Sequence, residues 1–202
     1  METFPTRLSV NVNKIATLRN ARGAARPCPV AAAVRIQQWG ADGITVHPRP
    51  DGRHITFDDV RKLKPVITTE FNIEGYPSSE FVDLVLEIAP DQVTLVPDPP
   101  GILTSNEGWD TRIHAEMLGQ VLSKFREAGI RTSLFISTDH SLIQGAADVG
   151  ADRIELYTGP YAAAFSQDPS AAVRPFAAAA EHAASVGLDV NAGHDLDLDN
   201  LA

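Results

Sequence analysis

The sequence is poor in cysteine and in long apolar runs, and each shortage excludes a class of protein. Cys28 is the single cysteine, so an internal disulfide framework and a zinc site of several thiolates are excluded. No apolar run approaches the roughly 20 residues that cross a bilayer, and the first residues, METFPTRLS, have no apolar signal core. We therefore expect a reducing, cytoplasmic location without membrane contact.

Positive charge is also scarce, since 17 Lys and Arg stand against 26 Asp and Glu, a formal net charge of −9. Such a charge repels polyanions and argues against a nucleic-acid partner. An anionic small substrate would need a local basic pocket. With 202 residues, 44% of them hydrophobic, the chain is long enough for one domain with a sizeable core and short for two. We expect a single domain over 1–202.

Short β-branched runs alternate with amphipathic segments along the whole chain. The runs predict seven strands, at 8–13, 43–48, 65–71, 92–97, 131–137, 153–158 and 188–193. Apolar residues at helical spacing predict helices between them, at 30–39, 79–89, 112–129, 141–150 and 168–187. Several helices end in glycine just before a strand, as at Gly129 and Gly187. This alternation is typical of a parallel α/β fold.

The pattern favours a (β/α)₈ barrel, the TIM-barrel fold, because no GxGxxG loop of a doubly wound sheet follows the first predicted strand. Seven strands are one short of closure, and the sequence stops at DLDLDNLA, where another helix would begin. We therefore expect a C-terminally incomplete barrel without its eighth strand and helix, with unpaired edges on strands one and seven. A polypeptide that ends at Ala202 is expected to show weak or no turnover.

Polar side chains gather at the C-terminal ends of the predicted strands, where barrel enzymes have their active sites. They are Asn11, Asn13 and Lys14, with Arg19 and Arg22 in a basic loop, after strand one; His47, Arg49, Arg53 and His54 after strand two; Glu70, Asn72 and Glu74 at strand three; Thr104 and Ser105 after strand four; Glu155 on strand six; and Asn191 and His194 at strand seven. Arginine suits phosphate binding, and His and Glu can pass protons in both directions. The set indicates an enzyme that acts on a small phosphorylated substrate by proton transfer.

Each of these side chains also has a structural interpretation. A lone histidine is often a satisfied structural group, an arginine can be a solvated loop charge, and Asn11 and Asn13 can bond to a neighbouring loop. Glu155 alternates with apolar residues in the run RIELY, which predicts that it points into the barrel, where an unpaired carboxylate is costly. The Pro- and Gly-rich stretch 97–108 is a candidate lid.

Three segments resemble those of the pyridoxine 5′-phosphate synthase family: NVNKIATLRNARG (11–23), GADGITVHPRPDGRHI (40–55) and NAGHDL (191–196). FNIE (71–74) and RIELYTG (153–159) support the resemblance, which runs from about Leu8 to the end. It implies a homo-oligomeric enzyme of vitamin B6 biosynthesis that needs no metal or organic cofactor. The implied reaction condenses 1-deoxy-D-xylulose 5-phosphate with 3-amino-2-oxopropyl phosphate and releases phosphate and water.

The resemblance also implies roles for individual residues. His47 is a general acid or base, Glu74 a second proton acceptor, Glu155 a group that stabilises charged intermediates, and His194 a proton donor. Implied substrate contacts are Asn11 and Arg22 for the amino-ketone phosphate, and Arg49, His54 and Thr104 for the deoxyxylulose phosphate.

The chain departs from the family pattern at three places. Asn13-Lys14 stands where many members carry Asp-His, so Lys14 would take the place of a cationic substrate contact. Asp195 stands where many members carry Gly, which would alter a backbone contact to substrate. Members also continue into an eighth strand with a Gly-His pair that helps hold a phosphate.

Two other functions compete with this interpretation. In a divalent-metal barrel enzyme, His47, Glu74, Glu155 and His194 would bind zinc or manganese instead of relaying protons, and metal analysis would distinguish the two. In a non-catalytic remnant, the chain would bind a sugar phosphate or serve as an assembly subunit. Binding of a substrate analogue without product would favour the remnant.

Overall fold

The structure is a computed structural model that describes residues 6–21, 23, 25–98 and 107–201. The chain divides into two compact units, the first ending at Val93 and the second beginning at Thr94. The strand β4 (Gln92–Leu95) contains the boundary. The single-domain organisation over 1–202 stays a prediction.

The first unit places its helices between parallel strands. Its elements are β1 (Ser9–Asn11), α1 (Asn13–Ala21), α2 (Pro29–Gln38), β2 (Gly43–Val46), α3 (Phe57–Leu63), a 3-10 helix (Lys64–Val66), β3 (Glu70–Gly75) and α4 (Ser79–Ile88). β1 pairs with β2 and β2 with β3, both in parallel, with Thr45 opposite Asn11 on one side and Asn72 on the other. All four residues of β2 are buried, as expected for a parallel strand covered on both faces.

The second unit repeats the same alternation. Its elements are α5 (Ala115–Glu127), β5 (Arg131–Ile136), α6 (His140–Asp148), β6 (Arg153–Tyr157), α7 (Gly159–Phe165), α8 (Pro169–Ser185) and β7 (Asp189–Gly193). β5 pairs with β6 and β6 with β7 in parallel, so that Phe135, Glu155 and Asn191 lie side by side. Leu134 and Ile136 of β5 and Ile154 of β6 are fully buried.

Helices begin at side-chain caps that can be recognised in the sequence. Ser78, Asp139 and Asp168 each accept a hydrogen bond from a backbone N–H in the first turn of α4, α6 and α8. Thr56 forms a capping box with Asp59 at the start of α3. Each cap satisfies N–H groups that a helix start leaves without a partner.

The strand predicted at 65–71 is wrong over most of its length. Lys64–Val66 forms a 3-10 helix ahead of β3. The backbone N–H groups of Thr68 and Thr69 donate to Gln37 Oε1 at 2.7 and 3.2 Å. A side chain of α2 therefore satisfies backbone groups that a strand would have paired.

Three helices were not predicted: α1, α3 and α7. The basic loop expected after strand one is largely α1, and Asn13 begins that helix instead of ending a strand. α3 and α7 have seven residues each, which is too short for a clear helical period.

The alternation of parallel strands and helices in both units confirms the predicted α/β fold of the (β/α) barrel type. Seven strands, and no eighth, lie among the described residues, and within each unit the strand order follows the sequence. No helix in this part of the chain is long and apolar enough to cross a membrane.

An ion pair with further hydrogen bonds joins α1 to α3 in the first unit. Arg19 Nη1 and Nη2 donate to Asp59 Oδ1 and Oδ2 at 2.5 and 2.8 Å, with side-chain exposures of 16% and 8%. Asp59 also accepts from the Thr56 N–H and hydroxyl, both at 2.9 Å. Burial acts to raise the pKa of Asp59, but the hydrogen bonds from Arg19 and Thr56 outweigh it and hold that pKa below its usual value.

Replacing Asp59 by Asn should destabilise the fold by roughly 2 kcal/mol at neutral pH, because Arg19 then keeps a mostly buried charge without a counter-charge. The pKa of Asp59 is lower in the folded than in the unfolded chain. Its contribution to stability is therefore present above about pH 4 and is lost as the pH falls further. Denaturant unfolding of wild type and Asp59→Asn at several pH values measures both effects.

Glu87→Gln is the matched control, because it removes the carboxylate from the exposed pair Arg61–Glu87, whose N···O distance is 2.6 Å. Solvent-exposed ion pairs contribute little to stability, so this variant should unfold close to wild type. Equal destabilisation by the two variants would contradict the structural importance of the buried pair.

Candidate active site

His47 follows β2 directly and is only 9% exposed. Its backbone N–H donates to Asn13 Oδ1 at 2.9 Å, and the Asn13 N–H donates to Asn11 Oδ1 at 2.8 Å. The parallel pairing of β1 with β2 brings these residues together. Asn11 and Asn13 therefore help to fix the backbone at His47, and their substrate contacts stay predictions.

Glu74, near the end of β3, approaches the ring of His47. His47 Nδ1 lies 3.8 Å from Glu74 Oε2, and the two side chains are 11% and 15% exposed. The approach follows from the parallel register, in which Val46 lies opposite Ile73. The structure thus brings together two of the four side chains predicted to be catalytic.

The electrostatic surroundings keep His47 neutral. Burial, followed by the nearby cation of Arg49 and the ring of His54, lowers the pKa of His47 from 6.5 to about 3. The contact with Glu74 is therefore not an ion pair at pH 7. A neutral imidazole has one unprotonated ring nitrogen that can accept a proton. Arg49 is itself buried, at 9% exposure.

His54 lies edge-on to His47, with ring centroids 5.9 Å apart and an interplanar angle of 65°. Burial and then Arg49 lower the pKa of His54 to about 4. Its Nδ1 is buried and has no hydrogen-bond partner within the described structure. A buried ring nitrogen of this kind is a place where a ligand can bond. We call His47, Glu74, Arg49, His54 and Asn13 the His47 cluster.

Glu155 on β6 belongs to the second unit and lies against the end of β7. Burial raises the pKa of Glu155 to about 7. Gly193 leaves room for the carboxylate, because a Cβ atom at that position would lie 3.1 Å from Glu155 Oε1. A carboxyl group with this pKa can gain or lose a proton near neutral pH.

His194 follows β7 in an unusual backbone conformation, with φ of 98°, and Asp195 after it has φ of 56°. His194 Nδ1 lies 2.9 Å from Asp195 Oδ2. The Thr158 hydroxyl donates to the His194 carbonyl, and the Tyr157 ring lies edge-on to the imidazole at 5.2 Å. Left-handed backbone at residues other than glycine is typical of functional sites. We call Glu155, Tyr157, Thr158, His194 and Asp195 the His194 cluster.

Sequence reasoning missed Tyr157 and Thr158, although both lie at the end of β6 in the segment RIELYTG. Their position at a C-terminal strand end is the signal that could have found them. The expected effect of Asp195 on a backbone contact to substrate stays a prediction, and the structure places its carboxylate against the ring of His194.

The remaining predicted residues are spread more widely. Lys14 is exposed on α1, and Arg53 pairs with Asp51 at 2.6 Å. Arg22 and Thr104 lie outside the described residues, as does most of the candidate lid.

In the part of the chain that the structure describes, no set of side chains is arranged as the metal-enzyme alternative requires. No three or more His, Cys, Asp and Glu side chains there are grouped so that they could hold a metal ion. His47 and Glu74 approach each other as a pair beside the cationic Arg49, an arrangement that disfavours a further positive charge.

Parallel strands whose C-terminal ends carry buried His, Glu and Arg side chains define an enzyme of the (β/α) barrel class. The chain belongs to the family of the pyridoxal phosphate biosynthesis protein PdxJ, whose family model matches residues 8–202. A pyridoxine 5′-phosphate synthase of Bacteroides fragilis is 59% identical over 196 residues, which cover 97% of this chain and 83% of that protein. The synthase of Porphyromonas gingivalis is 58% identical, with 97% and 82% covered. The predicted family membership is confirmed.

Solved structures with little sequence similarity share the fold. A mandelate oxidase variant with benzaldehyde has a TM-score of 0.58 at 12% identity and matches 90% of this chain and 65% of its own. A flavocytochrome b2 variant with benzoylformate has a TM-score of 0.59 at 13% identity and matches 91% and 51%. At these identities the similarity concerns the fold alone.

NMR titration should show that the ring of His47 stays neutral from about pH 8 to about pH 5, because its pKa is about 3. The unfolded chain takes up this proton first, near pH 6.5. The contribution of His47 to stability is therefore present above that pH and is lost as the pH falls toward 3.

Arg49→Met should raise the pKa of His47. Arg61→Met, at an exposed ion pair, should leave it unchanged, and an equal rise in both variants would be inconsistent with a local effect of Arg49.

Replacing Gly193 by Ala should displace the Glu155 carboxylate, because the new Cβ would lie 3.1 Å from Oε1. The pKa of Glu155 should then fall toward 4.5 as the carboxylate moves out of its buried position. Carboxyl ¹³C NMR of labelled protein measures this pKa. Gly119→Ala in α5 is the control, since a Cβ there meets no atom within 4 Å, and it should stabilise the helix by roughly 0.5–1 kcal/mol. An unchanged pKa in Gly193→Ala would disprove the close contact.

Proposed function

We propose that this chain is a pyridoxine 5′-phosphate synthase, an enzyme of vitamin B6 biosynthesis. It would condense 1-deoxy-D-xylulose 5-phosphate with 3-amino-2-oxopropyl phosphate by acid–base catalysis, without a metal or organic cofactor. The observation that carries the proposal is the pair of His47 and Glu74, in a chain that belongs to this family. His47 is buried and neutral, and its Nδ1 lies 3.8 Å from Glu74 Oε2. Arg49, also buried, is nearby. The proposed substrates are small phosphorylated molecules.

His47 and Glu74 are the proton-transfer pair of the first unit in this proposal. Condensation and dehydration each need a proton removed from one atom and delivered to another. With a pKa of about 3, His47 is a weak base while the site holds no substrate. A substrate phosphate beside Arg49 adds negative charge and offsets the cation that lowers this pKa, so substrate binding strengthens His47 as a base.

Phosphate recognition in the proposal rests on basic side chains near His47. Arg49 is a buried guanidinium suited to bidentate binding of phosphate oxygens. His54 can supply a ring N–H through the Nδ1 atom that has no partner in the described structure. The other proposed substrate contacts are Asn11, Asn13, Lys14, Arg22, Thr104 and Asp195.

Glu155 and His194 are the proposed acid–base groups of the second unit. A pKa of about 7 lets Glu155 exist in either charge state near neutral pH, so it can stabilise a cationic intermediate or supply a proton. Asp195 Oδ2 lies 2.9 Å from His194 Nδ1 and can orient the imidazole through a hydrogen bond. His194 is the proton donor in this proposal.

The proposal includes self-association into a homo-oligomer and a cytoplasmic location, with neither nucleic acid nor membrane as partner. The net charge of −9 supports the absence of a nucleic-acid partner.

The decisive assay is formation of pyridoxine 5′-phosphate from the two phosphate substrates by protein of verified intact mass. His47→Asn and Glu74→Gln should each lower kcat by roughly 100-fold or more, since they remove proton-transfer groups. His182→Asn on α8 and Glu87→Gln on α4 make the same chemical changes elsewhere and should keep wild-type rates. A chelator should leave the rate unchanged.

Substrate binding without product would support the non-catalytic alternative. Loss of activity on chelation, restored by zinc or manganese, would support the metal enzyme.

A further inference from the structure

The segment between β2 and α3 carries His54 and contains neither helix nor strand. It turns at Gly52, which has φ of 64° and donates its N–H to the Arg49 carbonyl at 2.9 Å. A segment without ladder or helix hydrogen bonds depends on side chains from other elements to hold its shape. The position of the His54 ring therefore depends on what binds the backbone around it.

Two consecutive residues of α1 bind that backbone. Asn20 Nδ2 donates to the Gly52 carbonyl at 3.0 Å and to the His54 carbonyl at 2.9 Å. Arg19 Nη2 donates to the same His54 carbonyl at 3.3 Å. The backbone at His54 is thus tied directly to α1.

Arg19 also orients the other members of this network. Its Nε donates to Asn20 Oδ1 at 3.0 Å, which turns the amide nitrogen of Asn20 toward the segment. Its two Nη atoms hold Asp59, and Asp59 caps α3 through Thr56, two residues after His54. One planar guanidinium therefore bonds to Asn20 of α1, to Asp59 of α3 and to the segment itself at the His54 carbonyl.

We propose that Arg19 is a positioning residue, which holds residues 52–56 against α1 so that His54 presents its ring to the substrate. The inference rests on the proposed synthase function, in which His54 contacts the deoxyxylulose phosphate. The side chain of Arg19 is only 16% exposed and its charge is compensated by Asp59. Arg19 therefore acts through His54 and is not the solvated loop charge that the sequence allowed.

Lysine cannot replace arginine in this role. Arg19→Lys keeps the positive charge, but a single ammonium cannot bind both Asp59 oxygens, Asn20 Oδ1 and the His54 carbonyl at once. Arg61→Lys is the matched control, since Arg61 also binds a carboxylate through two nitrogens, at 2.7 and 2.6 Å from the Glu87 oxygens, and these bonds do not involve the segment.

The kinetic test separates substrate binding from chemistry. Arg19→Lys should raise KM for 1-deoxy-D-xylulose 5-phosphate about 10-fold while kcat changes less than about 3-fold, and Arg61→Lys should change neither. In a His54→Gln background the same substitution should raise KM less than about 2-fold further, since Arg19 acts through His54. Equal fold-changes in both backgrounds would overturn the proposal.

A second measurement does not depend on activity. The ring signal of His54, identified by its loss in His54→Gln, should shift in the NMR spectrum of Arg19→Lys and stay in place in Arg61→Lys. Asn20→Ala keeps the ion pair and removes two bonds to the segment, so it should shift the same signal even if Arg19→Lys fails to fold. An unmoved His54 signal in the folded variants refutes positioning by Arg19. Absence of product from wild type counts against the proposed function instead.

Discussion

Parallel pairing of consecutive strands is the constraint on which the rest of the structure depends. Because β1, β2 and β3 run in one direction, their C-terminal ends reach the same edge of the sheet. Asn13 can then bond to the backbone of His47, and Glu74 can face its ring. Parallel strands also require crossover connections, here helices, which cover the sheet. At the edge where the strand ends meet, His47, Arg49 and Glu74 are largely buried.

Burial shifts the pKa values of acids and bases in opposite directions, and both directions occur in this protein. It lowers the pKa of His47 to about 3 and raises that of Glu155 to about 7, since in each case it disfavours the charged form. The buried cation of Arg49 adds to the effect on His47. Arg49 and the neutral rings of His47 and His54 lie in the same cluster, and in the proposed reaction Arg49 binds a substrate phosphate.

Sequence patterns predicted the features that depend on neighbouring residues, such as the positions of most strands. The alternation of β-branched runs and amphipathic segments identified six of the seven strands within a few residues, because residue type and helical spacing are local properties of the chain. At 65–71 the same reasoning failed, since Gln37 of α2 binds the backbone there. The basic segment after β1 was misinterpreted for a similar reason. Arg19 is part of a helix, and its partner Asp59 lies forty positions further along the chain.

The sequence by itself determined the parallel α/β class, the family and which residue types lie at the strand ends, because periodicity and motif order are properties of the chain. Only the tertiary structure decided that His47 is neutral, that Glu155 titrates near neutral pH and that His194 is held by Thr158 and Asp195. Charge state and hydrogen-bond partners depend on which groups burial places within a few ångströms of each other. Several of those distances, such as those between His47 and Glu74 and between Thr158 and His194, join residues far apart in the sequence, so no local pattern contains them.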